Sequence, residues 1–366
     1  MPFPIVQFGT SRFLQAHFDY FVARGFVDGP GTRRIAVVQT TASHDSARRI
    51  AFFDSGQAYH IHVRGLVDGK TVDGWEEVDS IGRGVDANHD WPAAEKLFLN
   101  ARWIVSNTGD RGYELSAGDR VDDGPPKSFP AKLTKLLYAR FAAGRPAPTL
   151  FPCELIENNG DKLKALAVEL AAGWSLPEAF GRWLGEDCVW VNSLVDRIVS
   201  APLEPAGAVA EPYSLWAVEN RPGLVMPCRH PSVVVTDDLK RYERLKLFIL
   251  NLGHTYLAEL WSRRGGAKDE TVRGLLADPA TLAELNDLYD REVLPAFDGL
   301  GMGDDARAYR ASVIERFRNP FLDHRLADIF TNHAAKKQRR FGGLAALAEQ
   351  NGIAVAQPRL KAALAA

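Results

Sequence analysis

Three polar residues interrupt the apolar stretch "KLFILNLGH", residues 246–254, inside a run over 237–266 that reads as one long helix. At about 100° per residue, Lys246, His254 and Asn251 fall at roughly 0°, 80° and 140°. Leucine, isoleucine and phenylalanine fill the rest of the circumference. A helix that is apolar all round is buried, and a buried amide, ammonium or imidazole group costs roughly 1–3 kcal/mol or more unless something hydrogen-bonds it. Each of the three is satisfied equally well by its neighbours, by loop carbonyls or by trapped water, but a lined polar pocket explains them jointly. Gly253, two turns on from Lys246, gives up about 1 kcal/mol of helix propensity and leaves room for a ligand. The pocket would offer an amine, an amide and an imidazole for proton chemistry without a metal. "HIH" at His60 and His62 and "CRH" at Cys228 and His230 both lack a second pair of ligands at metal-binding spacing.

The rest of the composition narrows the class. A chain of 366 residues is too long for one compact core, so two domains are expected. The net charge of −2 gives no basic footprint for nucleic acid, and no run of about 18 apolar residues suggests a membrane span. Three widely spaced cysteines, Cys153, Cys188 and Cys228, suit a reducing compartment better than a disulfide framework. "MPFPIVQFG" lacks the charged start of a secretory leader, so a cytoplasmic protein is expected.

The elements that must position the polar trio fall into two halves. "PIVQFG" (4–9), "RIAVVQ" (34–39), "RWIVSN" (102–107), "TLFPCE" (149–154) and "CVWVNS" (188–193) read as buried strands of a parallel sheet. Helical stretches alternate with them: "RFLQAHFDYFVARG", "SFPAKLTKLLYARFAAG" and "DKLKALAVELAAGW", closed by Gly25, Gly144 and Gly173. "AYHIHVRGLVDGKTVDGWEEV" alternates with period two around Asp68–Gly69 and reads as an inserted hairpin. "APLEPAGAVAEP" reads as a Pro/Ala-rich connection and "YSLWAVEN" as one more strand, and from Asp237 the chain is almost wholly helical. The fold class is therefore α/β: a parallel-sheet domain over residues 1–200, then a mainly α-helical domain over 201–366.

In "PIVQFGTSRFLQAHF" a strand runs into a glycine and then a helix, the geometry that seats a pyrophosphate at a helix N-terminus. Gly9 is present, but Ser11 and Leu14 stand where G-x-G-x-x-G has its other glycines. The second strand ends in Gln39, Thr40 and Thr41 with no ribose-binding acid, while Asp45, Arg48 and Arg49 follow. Either arginine can accept a 2′-phosphate, so these residues leave NAD versus NADP open.

Taken together, "FGTSRFLQAH", "VSNTGDRGY", "FPCELIENNGDKL", "SLVDRIVS", "KLFILNLGH" and "RFRNPFLDHRLADI" resemble, in family order, the long-chain mannitol dehydrogenase family. Within it, "PCELIENNG" and "SNTGDRGY" look most like tagaturonate reductases. The resemblance implies a Rossmann-type dinucleotide-binding domain over 1–200, a mainly α-helical substrate domain over 201–366, and a zinc-independent dehydrogenase whose expected cofactor is NAD, with NADP not excluded. Lys246 matches the family's catalytic lysine, Asn251 its alkoxide-binding asparagine and His254 its substrate-orienting histidine. On the cofactor side the matching positions are Phe8, Gly9, Thr10, Ser11, Phe13, Ser106, Asn107, Thr108 and Asn159. On the substrate side they are Asp196 and Arg197, with Arg318, His324 and Arg325 near the substrate motif. Two departures stand out: Ser11 replaces a cofactor-loop glycine, and Leu155 replaces a second alkoxide-binding asparagine.

The chemistry then has an assignment. Oxidising a secondary alcohol needs a base, and a lysine desolvated in an apolar wall has its pKa lowered toward that task. An asparagine amide can meet the oxygen as negative charge builds on it. The expected partner is a small sugar acid of the altronate or mannonate type, whose carboxylate calls for an arginine fork. The alternatives are a neutral polyol, a polyol phosphate, and a non-catalytic dinucleotide-binding regulator. Neither nucleic acid nor membrane is an expected partner, and the oligomeric state is open.

Overall fold

A computed structural model describes residues 3–29, 33–40, 44–109, 111–122 and 124–365. Thr41 and Asp110, the latter within the "SNTGDRGY" motif, lie outside the described residues. The chain divides into two compact units, Met1–His62 with Trp75–Leu239, and Val63–Gly74 with Lys240–Ala366. The division expected at residue 200 thus falls some forty residues later. Segment 201–239 pairs with strands that precede it, and that pairing keeps it in the first unit.

The strands are β1 (Ile5–Phe8), β2 (Ile35–Gln39), β3 (Tyr59–Val67), β4 (Lys70–Val78), β5 (Ile81–Asp86), β6 (Trp103–Ser106), β7 (Thr149–Pro152), β8 (Val189–Trp190), β9 (Ser193–Asp196), β10 (Val199–Pro202), β11 (Ala208–Ala210), β12 (Leu215–Glu219) and β13 (Val233–Thr236). Six of them form one sheet in the order β5-β2-β1-β6-β7-β8, with every neighbouring pair parallel. Chain order reverses between β1 and β6, and ligands of open parallel sheets bind outside such a switch point. β1, β2, β6 and β7 are buried along their whole length. That is why they read as unbroken apolar runs.

β5 was hidden by its glycines. A side chain at Gly84 would lie 2.3 Å from the Ile50 carbonyl oxygen, so the glycine lets helix His44–Asp54 press against the strand. The Pro/Ala-rich connection also proved more ordered than expected, since it contains β11 and the end of β10. The hairpin is as expected: Asp68 (φ 51°) and Gly69 (φ 72°) make a two-residue turn with both residues left-handed, the type that matches strand twist.

The helix expected over 12–25 is two helices, Arg12–Gln15 and Phe18–Gly25. The break has visible causes. The Ala16 carbonyl accepts a hydrogen bond from Arg197, the Gln15 carbonyl accepts one from the Tyr59 hydroxyl at 3.0 Å, and His17 binds the Leu215 carbonyl at 2.9 Å. The second unit is helical apart from residues of the hairpin, and Leu257, Leu285, Tyr289, Phe297 and Phe341 are fully buried in its core.

Candidate active site

The trio lies on the second unit's central helix, and that helix is irregular where it matters. Leu239–Leu245 and Leu252–Arg263 are α-helical, but Lys246–Asn251 is a wide π turn, in which the Leu252 N–H reaches the Leu247 carbonyl five residues back. A regular wheel therefore fails here. In an i→i+5 turn, residues five apart sit nearly one above the other, so Asn251 comes round over Lys246 instead of roughly 140° away. His254, three residues on, returns to the same side. Lys246 and Asn251 are half-buried and His254 is buried.

Gly253 does not make room for a ligand. A side chain there would meet the Tyr289 hydroxyl at 2.0 Å and the Phe317 ring at 2.9 Å, so the space belongs to those two residues.

The surroundings are cationic. The His254 ring packs on Phe317 (centroids 4.4 Å apart) and edge-on to His324 (4.8 Å). Burial holds its pKa well below the usual histidine range, and His324, Arg316, Arg340 and Lys336 depress it further. His254 is thus a neutral imidazole at pH 7. Burial lowers His324 as well, and its Nδ1 is buried without a hydrogen bond. Arg340 donates from Nη1 to the Asn251 carbonyl at 3.1 Å and to the Thr255 hydroxyl at 2.5 Å. Burial, then the charge of Arg339, pushes it down to about 10. No carboxylate pairs with Arg340 among the described residues, and its Nε is buried unpartnered. The Asn251 amide likewise makes no side-chain hydrogen bond among the described residues.

Of the arginine-rich segment, only His324 of the nominated residues joins this group. Arg318 is exposed beside Arg273, and Arg325 is exposed with Asp269 3.9 Å away. Arg316, in the same segment, is buried. Arg340 and Lys336 escaped the sequence reading, since they lie more than 80 residues beyond Asn251 on another helical segment.

The first unit holds the remaining nominees. Gly9, at the end of β1, has φ +112°, and a side chain there would lie 2.7 Å from the Asn107 carbonyl oxygen. Ser11 caps the four-residue helix by accepting from the Leu14 N–H, and its hydroxyl donates to Asn107 Oδ1 at 3.0 Å. The long helix expected to seat a pyrophosphate is therefore a single short turn. Phe8 is a core residue against Phe98 and Phe129, and Phe13 stacks on His17. Ser106 and Thr108 donate to the buried carboxylate of Glu154, and Tyr113 joins them. Burial raises the Glu154 pKa against these donors. Asn159 donates to the carbonyls of Pro152, Glu154 and Ser193 and accepts from the N–H groups of Gly160 and Ser193. These side chains bolt the loops after β1, β6 and β7 together.

Asp196 and Arg197 are buried, with Arg197 spent on the carbonyls of Glu211 and Ala16 and pushed down to about 10 by burial. One cation near β1 is less committed. The Arg49 guanidinium is half-buried on the hydroxyls of Thr10 (3.2 Å) and Ser46 (3.3 Å) with no carboxylate bonded to it among the described residues, whereas Arg48 is exposed and paired with Asp45 at 2.7 Å. A guanidinium with no directly bonded carboxylate among the described residues, beside the β1 loop at a switch point, fits an anionic ligand such as a dinucleotide phosphate.

A six-stranded parallel sheet of this order, together with a helical unit, is the architecture of a two-part dinucleotide-binding chain. Residues 4–225 match the mannitol dehydrogenase Rossmann domain and residues 238–365 the mannitol dehydrogenase C-terminal domain. The altronate oxidoreductase of Bacillus subtilis (strain 168) is 33% identical over 96% of this chain and 76% of its own length. That of Klebsiella pneumoniae (strain 342) is 33% identical over 100% and 79%. Among solved structures, D-sorbitol dehydrogenase in its substrate-free form superposes with a TM-score of 0.79 at 21% identity, covering 96% of this chain and 77% of the other. The chain belongs to the mannitol dehydrogenase family. It is an oxidoreductase of CH–OH groups. No helix among the described residues is long and apolar enough to cross a membrane.

Proposed function

We propose that this chain passes a hydride between NAD and the secondary alcohol or ketone carbon of an open-chain sugar acid of the altronate or mannonate type. The observation that carries the sugar-acid reading is Arg340, a partly buried guanidinium with no carboxylate partner among the described residues, bonded to the Asn251 carbonyl and one of the charges that keep His254 neutral. A buried cation without a counter-ion is costly, and a substrate carboxylate would relieve it through paired N–H bonds. Relatives named altronate oxidoreductase support the same choice.

NAD supplies the hydride acceptor when bound, with the β1 loop and Arg49 as the residues that would hold its phosphates. Lys246 takes the hydroxyl proton during oxidation and, as ammonium, returns it during reduction. Asn251 donates its free amide N–H to the oxygen as charge develops there. His254, being neutral, can donate to or accept from that oxygen or the next hydroxyl, according to its tautomer. Lys336 and Arg340 face the carboxylate.

One assay panel tests this: NADH consumption with keto-uronates and ketoses, and NADH formation with aldonates, hexitols, pentitols and hexitol phosphates. Turnover of the sugar acids is expected, with Arg340→Gln raising their KM, and activity is expected to survive exhaustive chelation. Turnover of a neutral polyol and of no sugar acid contradicts the carboxylate assignment, and turnover of hexitol phosphates alone gives the cations to a phosphate.

A further inference from the structure

The wide turn at Lys246–Asn251 is held open from outside the helix. The Tyr289 hydroxyl donates to the Ile249 carbonyl at 2.8 Å, in the middle of the turn. Tyr289 is fully buried, and burial pushes its pKa up, so the hydroxyl remains a donor. Gly253, one turn further on, is the position where any side chain would strike that same hydroxyl, at 2.0 Å. Tyr289 itself opens a second wide turn, Tyr289–Val293, and Arg340, which grips the Asn251 carbonyl at the end of the first, lies in a third, Gln338–Gly342.

We infer that Tyr289 is a positioning residue of the reaction: its hydroxyl holds the turn that brings Lys246 and Asn251 onto one face of the helix, and residue 253 is glycine to admit it. The inference rests on the role proposed above for Lys246. A mid-helix glycine and a π turn each weaken a helix, and here both meet at one hydroxyl. A buried tyrosine needs only some acceptor, and a regular helix with alanine at 253 would pack with fewer concessions. The arrangement returns something only through the spacing of the polar residues. Lys246 and Asn251 are five apart, the repeat of an i→i+5 turn, and in a regular helix they would diverge. Side-chain insertion is one of the recognised causes of such departures from the i→i+4 ladder.

The test is Tyr289→Phe, which keeps the ring and removes the hydroxyl. Turnover should fall by roughly 10- to 100-fold, the scale expected when a reacting group is misplaced by about 1 Å. The midpoint of the pH profile of kcat should move with it, because the environment of the base changes. Affinity for NADH, read by fluorescence titration without turnover, should stay within about twofold. Gly253→Ala should reproduce this pattern. If Tyr289→Phe melts at a lower temperature but keeps the kcat and pH profile of the parent, the inference is overturned and the residue is structural only. Lys246→Ala separates the two levels. Its inactivity beside a fully active Tyr289→Phe overturns only the positioning role, whereas its full activity overturns the role of Lys246 and with it the inference.

Discussion

Asn159 and Asn251 are the same side chain treated in opposite ways. Asn159, 1% exposed in the first unit, spends its amide on three carbonyls and two backbone N–H groups. Asn251, half-buried in the second unit, makes no side-chain hydrogen bond among the described residues, while its backbone carbonyl is held by Arg340 and Thr255. The contrast extends to their surroundings. Ser11, Ser106, Asn107 and Thr108 are tied to one another's loops, whereas Arg340 retains an unpartnered nitrogen and His324 an unpartnered Nδ1. A saturated polar group fixes backbone, and an unsaturated one in a partly buried place is available to a ligand. On this view the first unit's polar residues shape the loops, and any dinucleotide they receive is met mainly by backbone and by Arg49. The second unit's unsaturated polar residues are the ones proposed to meet the substrate.

Substitutions can break that contrast, and they differ in size. Lys246→Ala should lower turnover by roughly 10²–10⁴ with NADH affinity unchanged; equal activity in the variant removes Lys246 from the chemistry. Asn159→Ala should cost about 3 kcal/mol or more of folding stability, because several buried backbone groups lose their partner together. Denaturant unfolding measures this, and a loss below about 1 kcal/mol would mean that the loops do not depend on it.

Asp19 offers a smaller effect with a defined sign. It is fully buried, and burial outweighs hydrogen bonds from Gln7 and Tyr59 to raise its pKa to about 8. The unfolded chain releases this proton near pH 4, so the folded state holds a proton that the unfolded state lacks between about pH 4 and pH 8. Its contribution is fully present below the unfolded pKa and is lost as pH rises through the folded one. Asp19→Asn should therefore flatten the decline of melting temperature between pH 5 and 8, and an unchanged slope would show that Asp19 does not carry it. The smallest effect belongs to Arg49. NAD should be preferred only moderately, and Arg49→Gln should raise the KM of NAD and NADP alike by about tenfold, the worth of one charge-assisted bond to a phosphate that both carry; unchanged KM values would free Arg49 from cofactor recognition.

How far these features were legible in the sequence follows from what each depends on. Fully buried parallel strands announce themselves through composition, so β1, β2, β6 and β7 were readable. β5 was not, because Gly84 is chosen by the helix above the strand and Gly82 by Arg33 and Phe3 against it. The polar trio was visible as costly residues in an apolar run, and the family resemblance followed from their spacing. The wide turn was invisible, since it depends on Tyr289, far along the chain, and Gly253 was misread for the same reason. Arg318 and Arg325 were nominated for lying near a motif, but Arg340, distant in sequence, has the unpaired charge. Glu154, which gathers Ser106, Thr108 and Tyr113, gave no local signal beyond a carboxylate at the end of a buried strand.

The most direct measurement is kcat for Asn251→Ala at saturating cofactor and substrate, taken together with its melting temperature. A fall of roughly 10²–10³ in kcat, with the melting temperature within about 2 °C of the parent, is the predicted result. Retained turnover accompanied by a large drop in melting temperature would contradict the account, because Asn251 would then be a structural amide like Asn159.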